Sequence, residues 1–342
     1  MNAARFQTIT EKYPQLAIAV VGDFCLDRYL EIDPSKQEIS IETGLPVHNV
    51  AYVRSQPGAA GTILNNLAAL GIGKILPVGF AGEDGEGFEL WRALETRPGV
   101  RLDYFVRTRQ RRTFTYCKPL IIQPNKPPIE LNRLDSKNWT PTPALLQGLL
   151  INSVLKLAAF ADALIIMDQV DLPETGVVSR RLLEAVRNLA AENPDLLVVA
   201  DSRRGLRNYP PVTFKMNAAE LSALTGAKKE LSPEEIKTTA AALAREHGRN
   251  VFVTLAEHGL LGASPKGQVE HVPALPVRGQ IDIVGAGDAV TANLAAALTA
   301  GADLRESLEI ASAAASVVIH QLGTTGTASV ADLKALLFGA EG

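Results

Sequence analysis

The chain has 342 residues, 46% of them apolar and 21% charged, a globular balance that excludes collagen-like, coiled-coil and disordered classes. The formal net charge of −3 gives no general pull toward nucleic acid or an anionic membrane, so the expected partners are small molecules, with neither nucleic acid nor membrane among them. Cys25 and Cys117 are too few for a disulfide framework and lack metal-ligand spacing, and no apolar run reaches the roughly 18–20 residues that span a bilayer.

Met1–Pro14 is polar and mixed in charge and does not read as a signal peptide, so a cytoplasmic, reduced protein is expected. Leu16–Gly22 is a short apolar run ending in glycine, the pattern of a strand buried on both faces of a parallel sheet. The same pattern recurs at Lys74–Gly79, Ala163–Asp168, Leu196–Asp201 and Asn250–Leu255. Between these runs lie helix-length stretches at Ala60–Leu70, Phe88–Thr96, Ala144–Phe160, Val177–Glu192 and Pro233–His247. Strand and helix in alternation predict an α/β fold, a mostly parallel central sheet with helices on both faces. Glu31–Arg54 and Arg101–Trp139 break the rhythm with prolines and apolar/polar alternation, so they read as short half-exposed strands. The expectation is one domain over 1–342 with small β-lid inserts at about 31–54 and 101–134. Gly285–Phe338 reads as mostly helical.

Four segments carry candidate chemistry. Asp282-Ile283-Val284-Gly285-Ala286-Gly287-Asp288 opens a small-residue helix. Its glycines let a ligand approach the backbone, and the free N–H groups and dipole of a helix start favour an anion such as phosphate. Asp288, beside that site, has the chemistry of a general base; a tight turn with a favourable first-turn Asp is the structural alternative. Asn217 and Glu220 are spaced as a capping box, and are equally a pair able to hold Mg²⁺-bound water near phosphates. Gly58-Ala59-Ala60-Gly61-Thr62 opens a helix with small residues, suited to close approach by a sugar or to ordinary packing. Asp27 sits in Gly22–Asp27, read as a loop at the carboxyl end of the first strand, where ligands of open α/β sheets bind. No G-x-x-x-x-G-K-[ST] loop is present, no G-x-G-x-x-G follows the first strand, and the five histidines form no metal pair.

Taken together, VVGDFCLDRYL, PGAAGTILNNLAALG, Arg133-Leu134-Asp135, Met216–Glu220, Val253–Gly259, DIVGAGD and Leu322-Gly323-Thr324 resemble, in order, the ribokinase-like PfkB family of carbohydrate kinases. Within it the heptose 7-phosphate kinase group is the most similar, and the likeness runs over about residues 16–335. It implies ATP- and Mg²⁺-dependent phosphorylation of a sugar or sugar-phosphate hydroxyl. Asp288 would be the base and the backbone of Gly285, Ala286 and Gly287 the anion hole. Asn217, Glu220 (through water to the metal), Thr254 and Gly259 would serve the nucleotide, and Asp27, Gly58, Ala59 and Thr62 the sugar. With the sequence ending at Gly342, the nucleotidyltransferase half found beside such kinases in bifunctional enzymes is expected on another chain.

Several positions depart from the pattern. Ala59 replaces the second of paired glycines, Thr62 an asparagine, and Ile283 a small residue. Arg107, Arg109, Arg111 and Arg112 form a basic cluster in the second insert. It is either a solvated strand face, or Arg109 and Arg112 fork onto a phosphate carried by the sugar. The competing functions are a kinase of another small hydroxyl compound such as a nucleoside, and a catalytically weak sugar-binding sensor. Lids of this sort often pair across a two-fold axis in the family, and the apolar/polar alternation of Arg101–Ile122 allows a homodimer through the lid, with the oligomeric state left open.

Overall fold

The computed structural model describes residues 1–227 and 229–339. In chain order, α1 (Ala3–Thr10) precedes β1 (Ala17–Gly22), which passes through Asp23 into β2 (Phe24–Ile32). A small excursion, β3 (Glu38–Ile39) and β4 (Pro46–Val47), leads to β5 (Val50–Ala59), α2 (Ala60–Ala69), β6 (Lys74–Gly82) and α3 (Gly85–Glu95). Next come β7 (Phe105–Thr108), β8 (Phe114–Ile121), β9 (Ile129–Glu130), α4 (Ala144–Leu157), β10 (Ala163–Asp168), α5 (Arg180–Glu192), β11 (Leu197–Ser202) and β12 (Thr213–Asn217). The remainder is α6 (Ala218–Thr225), α7 (Pro233–His247), β13 (Val251–Thr254), β14 (Leu260–Ala263), β15 (Val269–Val272), α8 (Ala286–Thr299), α9 (Leu304–Ile319) and α10 (Val330–Phe338).

One sheet runs in the order β15-β14-β13-β12-β11-β10-β1-β6-β7. Its pairings from β7 to β13 are parallel, and the β13–β14 and β14–β15 pairings are antiparallel. Every residue of β1 and β10 is buried, which is why their sequences are continuous apolar runs without alternation. Helices α4 to α7 pack one apolar layer, and α1, α2, α3, α8, α9 and α10 the other. The chain leaves β1 for β6 and β7 on one side and returns through β10 to β13 on the other. The switch therefore falls between β1 and β10, and the crevice outside their carboxyl ends is where such sheets take ligands. No helix among the described residues is long and apolar enough to cross a membrane.

A second sheet, β5-β2-β8-β9, rises from the carboxyl end of β1. Its strands differ from the predicted inserts in two ways. The sheet begins at Phe24, so Asp27 lies within a strand rather than a loop, and residues 33–49 are an excursion between β2 and β5. The sequence hides this because only Asp23 separates β1 from β2, too short a break to mark where one sheet gives way to the other. Within the second insert, Phe105–Thr108 joins the large sheet beside β6 instead of the small one. Four alternating residues at a sheet edge look the same in either place.

Candidate active site

Asp282–Asp288 bends into the start of α8. Asp282 Oδ1 accepts the Val284 N–H at 3.0 Å, Gly285 takes φ +85°, and the Ala286 N–H reaches the Ile283 carbonyl at 3.2 Å. The N–H groups of Gly287 and Asp288 have no acceptor among the described residues, and α8 has no side-chain cap. A helix start with free donors and its positive dipole end is an anion site. Asp288 is half-buried in this first turn, and Ile283 is 72% exposed.

Beneath the cradle lies a buried charge network. A Cβ on Gly287 would stand 3.1 Å from Lys215 Nζ, so only glycine leaves the ammonium against the cradle backbone. Lys215 Nζ donates to Asp201 Oδ2 at 2.9 Å, and Thr291 Oγ1 lies 2.8 Å from the same oxygen. Burial opposes the charge on Lys215, but the carboxylates of Asp201, Asp288 and Glu220 outweigh it and raise its pKa. Burial, then the charge of Asp201, push Asp288 up to about 7 against the pull of Lys215 and Arg203. Asp27 adds to the upward push, which places the two carboxylates within electrostatic reach of each other.

On the strand ends beside this network, Asn217 and Glu220 form the capping box of α6: each side chain takes the other's backbone N–H at 2.8 Å. Burial raises the Glu220 pKa and Asp201 adds to it, while Lys215 and Arg203 draw it down, so the cap is also part of the charge network. Thr254 pairs with Asn217 in the β12–β13 register. Gly259 takes φ +94° in the following turn and lies tight against Val272 and Pro273.

Across the mouth, the Asp27 carboxylate lies so close to Gly58 that a Cβ there would be 2.5 Å from its Oδ2. Asp27 is buried, which raises its pKa, and Lys118 Nζ at 3.8 Å together with Arg133 moderates the rise. Ala59 begins α2 at φ 56° and ψ −117°, a region unfavourable to a residue with a side chain. Thr62 and Thr325 both approach the cradle, their methyl carbons 3.5 and 3.4 Å from where a Cβ on Gly285 would sit. Gln56, opposite Asp27 in β5, donates to Thr325 Oγ1 at 2.6 Å and accepts from Thr324 Oγ1 at 3.0 Å. The small sheet is thereby tied to the cradle.

Arg109 and Arg112 are not drawn into this mouth. They occupy the turn between β7 and β8, with Arg109 on Glu83 at 2.6 Å and Arg112 3.8 Å from Glu86. Lys215, Asp201, Arg203, Gln56 and Thr325 are the site residues that sequence reasoning missed. A lysine inside the apolar run Thr213–Met216 was the available signal, since lysine is rarely buried unless paired. No group of three or more His, Cys, Asp or Glu side chains able to hold a metal occurs among the described residues.

The model of the pfkB family carbohydrate kinases matches residues 16–331. The chain belongs to the pfkB family. The kinase is 34% identical over 325 residues to the bifunctional protein HldE of Azorhizobium caulinodans, covering 94% of this chain and 65% of that protein. It is 30% identical over 325 residues to the same-named protein of Gluconacetobacter diazotrophicus, covering 95% and 64%. The kinase thus spans somewhat less than two thirds of these relatives. Among solved structures, phosphofructokinase-2 from Escherichia coli in complex with substrates and products matches with a TM-score of 0.70 at 20% identity, over 94% of this chain and 98% of that one. Arabidopsis thaliana ribokinase complexed with ribose and ATP matches at 0.66 and 20%, over 94% and 99%. At this identity the likeness shows the fold, ribokinase-like α/β with a large, mostly parallel sheet, as the sequence implied. Family membership makes the chain a sugar kinase.

Proposed function

We propose that the kinase transfers the terminal phosphoryl group of ATP to a hydroxyl of a sugar or sugar phosphate of the heptose-phosphate kind, with Asp288 as general base. The observation that carries this reading is Asp288 itself: a carboxylate held near pKa 7, in the first turn of α8, beside free N–H groups and within electrostatic reach of Asp27. A base with that affinity is half ionised near neutral pH and matched to accept a proton there.

The acceptor lies at Asp27, Gly58, Ala59 and Thr62. Its hydroxyl passes a proton to Asp288 as its oxygen attacks the terminal phosphorus and the bond to ADP breaks. Charge on the transferring oxygens meets the free N–H groups at the start of α8, those of Gly287 and Asp288, with the Lys215 ammonium behind them and the Ala286 N–H held by the Ile283 carbonyl. Phosphoryl transfer asks mainly for positioning and charge neutralisation, which this network supplies before the nucleotide arrives.

With no all-protein cage among the described residues, Mg²⁺ would be held chiefly by nucleotide phosphates and water, and Glu220 would support it through water. When bound, Mg²⁺ neutralises phosphate charge. Asn217, Thr254 and Gly259 would border the nucleotide. The small sheet acts as a lid that excludes water, and its exposed Tyr52 and Val53, with Ile39, Ile41 and Leu45 on the excursion between β2 and β5, support a homodimer through that surface. The unpaired, buried Cys25 and Cys117 fit a reducing, cytoplasmic setting. The test is ADP release across a panel of phosphorylated and unphosphorylated sugars. Turnover that requires an acceptor and disappears in Asp288→Asn supports the reading, and tight sugar binding with no turnover for any acceptor overturns it.

A further inference from the structure

We propose that a cleft beside the small sheet, built around Arg111, binds a phosphate dianion, either free or carried on a small organic molecule. The cleft has a volume of about 480 Å³ and is walled by Glu83, Arg109, Arg111, Arg112, Lys137 and Trp139. Most of its charges are answered from within the protein. Arg109 sits on Glu83 at 2.6 Å, Lys137 on Asp171 at 2.7 Å, and Arg112 lies 3.8 Å from Glu86. Asp84, the other carboxylate on the wall, is taken up by the Gly87 N–H and by the N–H and hydroxyl of Thr113.

Arg111 is the exception. It is 7% exposed and forms no ion pair among the described residues. One terminal nitrogen donates to Thr140 Oγ1 at 3.1 Å and the other to the Pro141 carbonyl, while its Nε is buried without any partner. Burial alone lowers its pKa, with no acidic neighbour to raise it. A guanidinium desolvated with no counter-charge is an expensive arrangement, and a bound anion removes the cost. Its fork geometry matches the oxygens of a phosphate, and Arg112 and Lys137 stand on the same wall to share the second charge. Asn138 fixes the turn by accepting the Arg112 N–H at 3.1 Å and donating to the Arg112 carbonyl at 2.9 Å. Trp139, 72% exposed, offers a flat apolar side to whatever carries the phosphate.

The cleft is separate from the cradle. Asp27 pairs with Tyr116 in the β2–β8 register, and Arg112 is four residues before Tyr116, roughly 13 Å of extended chain away. The proposal rests on this cleft and not on the role of Asp288. The phosphate comes from one of two sources: the far end of a phosphorylated acceptor, or a free phosphate compound acting on the kinase from outside its mouth.

The experiment titrates inorganic phosphate into the full chain by calorimetry, at ionic strength held constant with chloride, for wild type, Arg111→Met and Arg112→Gln. Wild type shows a binding event that Arg111→Met weakens by at least about tenfold, the loss expected for hydrogen bonds to a charged group. Arg112→Gln, altered at an exposed side chain, weakens it by a smaller factor and serves if Arg111→Met does not fold. Binding unchanged in both variants, or no binding beyond that of chloride, overturns the proposal. The source is read from turnover. Phosphate that raises the KM of a phosphorylated sugar competitively, and not that of its unphosphorylated counterpart, assigns the cleft to the acceptor; a KM unchanged for both assigns it to a free phosphate compound. Absence of turnover with every acceptor counts against the kinase reading and leaves the titration standing.

Discussion

Two helix starts face each other across the mouth, and both depart from the ordinary capped helix. Helix α8 begins at Gly285 with φ +85°, and α2 begins at Ala59 with φ 56° and ψ −117°; neither has a side-chain cap. At α8 the unusual conformation falls on glycine, which adopts it freely, and the charges around it are balanced by Lys215, Asp201 and Arg203. At α2 it falls on alanine, which does not. The α8 start is therefore relaxed and tuned by charge, whereas the α2 start holds backbone strain. Strain of this kind persists only where the surroundings enforce it, here the Asp27–Gly58 contact and the packing of α2 against α8.

The largest effect expected is at the tuned end. Asp288→Asn keeps the shape and removes the proposed proton acceptor, so turnover is expected to fall by about 10²–10⁴-fold while ATP affinity changes little. ADP release and a nucleotide titration measure the two, and a variant retaining more than a tenth of wild-type turnover breaks the assignment. Next is Lys215→Met. The Lys215–Asp201 pair is nearly sealed, with side chains 8% and 9% exposed, so removing one partner leaves an uncompensated buried carboxylate and costs about 3–5 kcal/mol by urea denaturation. Replacing both, as Lys215→Met with Asp201→Leu, restores much of that stability but not the activity. If the double variant is no more stable than the single one, the network is not the unit described.

The pH dependence separates activity from stability at the same residue. As the proposed base, Asp288 must be ionised to accept a proton, so kcat/KM is expected to fall as pH drops through about 7. Stability has the opposite sign. The folded-state pKa lies above the ordinary value of 3.8, so the folded form holds a proton that the unfolded chain has lost. This contribution is complete below about pH 4 and is lost as pH rises toward 7. Wild type should therefore lose stability more steeply than Asp288→Asn between pH 4 and 7, with parallel curves above. Asp23, buried and also raised to about 7, contributes the same slope to both proteins and cancels in the difference. Equal slopes for the two proteins would mean that Asp288 is not held near 7.

How much of this was legible depended on the element. The apolar runs gave Ala163–Asp168 and Pro233–His247 to the residue, because a doubly covered strand and a capped helix leave strong local patterns. The cradle was legible too, since glycine spacing before a small-residue helix carries its own physics. The small sheet was legible as half-exposed inserts but not in its bounds, because β2 follows β1 after the single residue Asp23. Arg111 was visible as one arginine among four, but its missing counter-charge is a property of the folded surroundings: Thr140 and Pro141, which meet it, lie about thirty residues away. Ala59 was legible as a departure from paired glycines, yet only the fold shows that its backbone takes the conformation those glycines would allow.

That departure yields the smallest effect and the sharpest test of the comparison. In Ala59→Gly the native φ and ψ become unstrained, a gain of roughly 1–3 kcal/mol. Against it stands the added freedom of glycine in the unfolded chain, about 0.4–1 kcal/mol. The net expectation is a rise in stability of about 1 kcal/mol in urea, contrary to the usual loss when glycine replaces alanine near a helix. Catalysis should shift in the acceptor term alone: the KM for the sugar moves while the KM for ATP and the pH midpoint near 7 stay fixed, because Ala59 lies at the start of α2, on the proposed acceptor side, and outside the Lys215 network. A loss of stability would mean that Ala59 carries no strain and that the two helix starts do not differ in the way described. A shift in the ATP term instead would place the alanine's influence at the cradle, through Thr62 and Gly285.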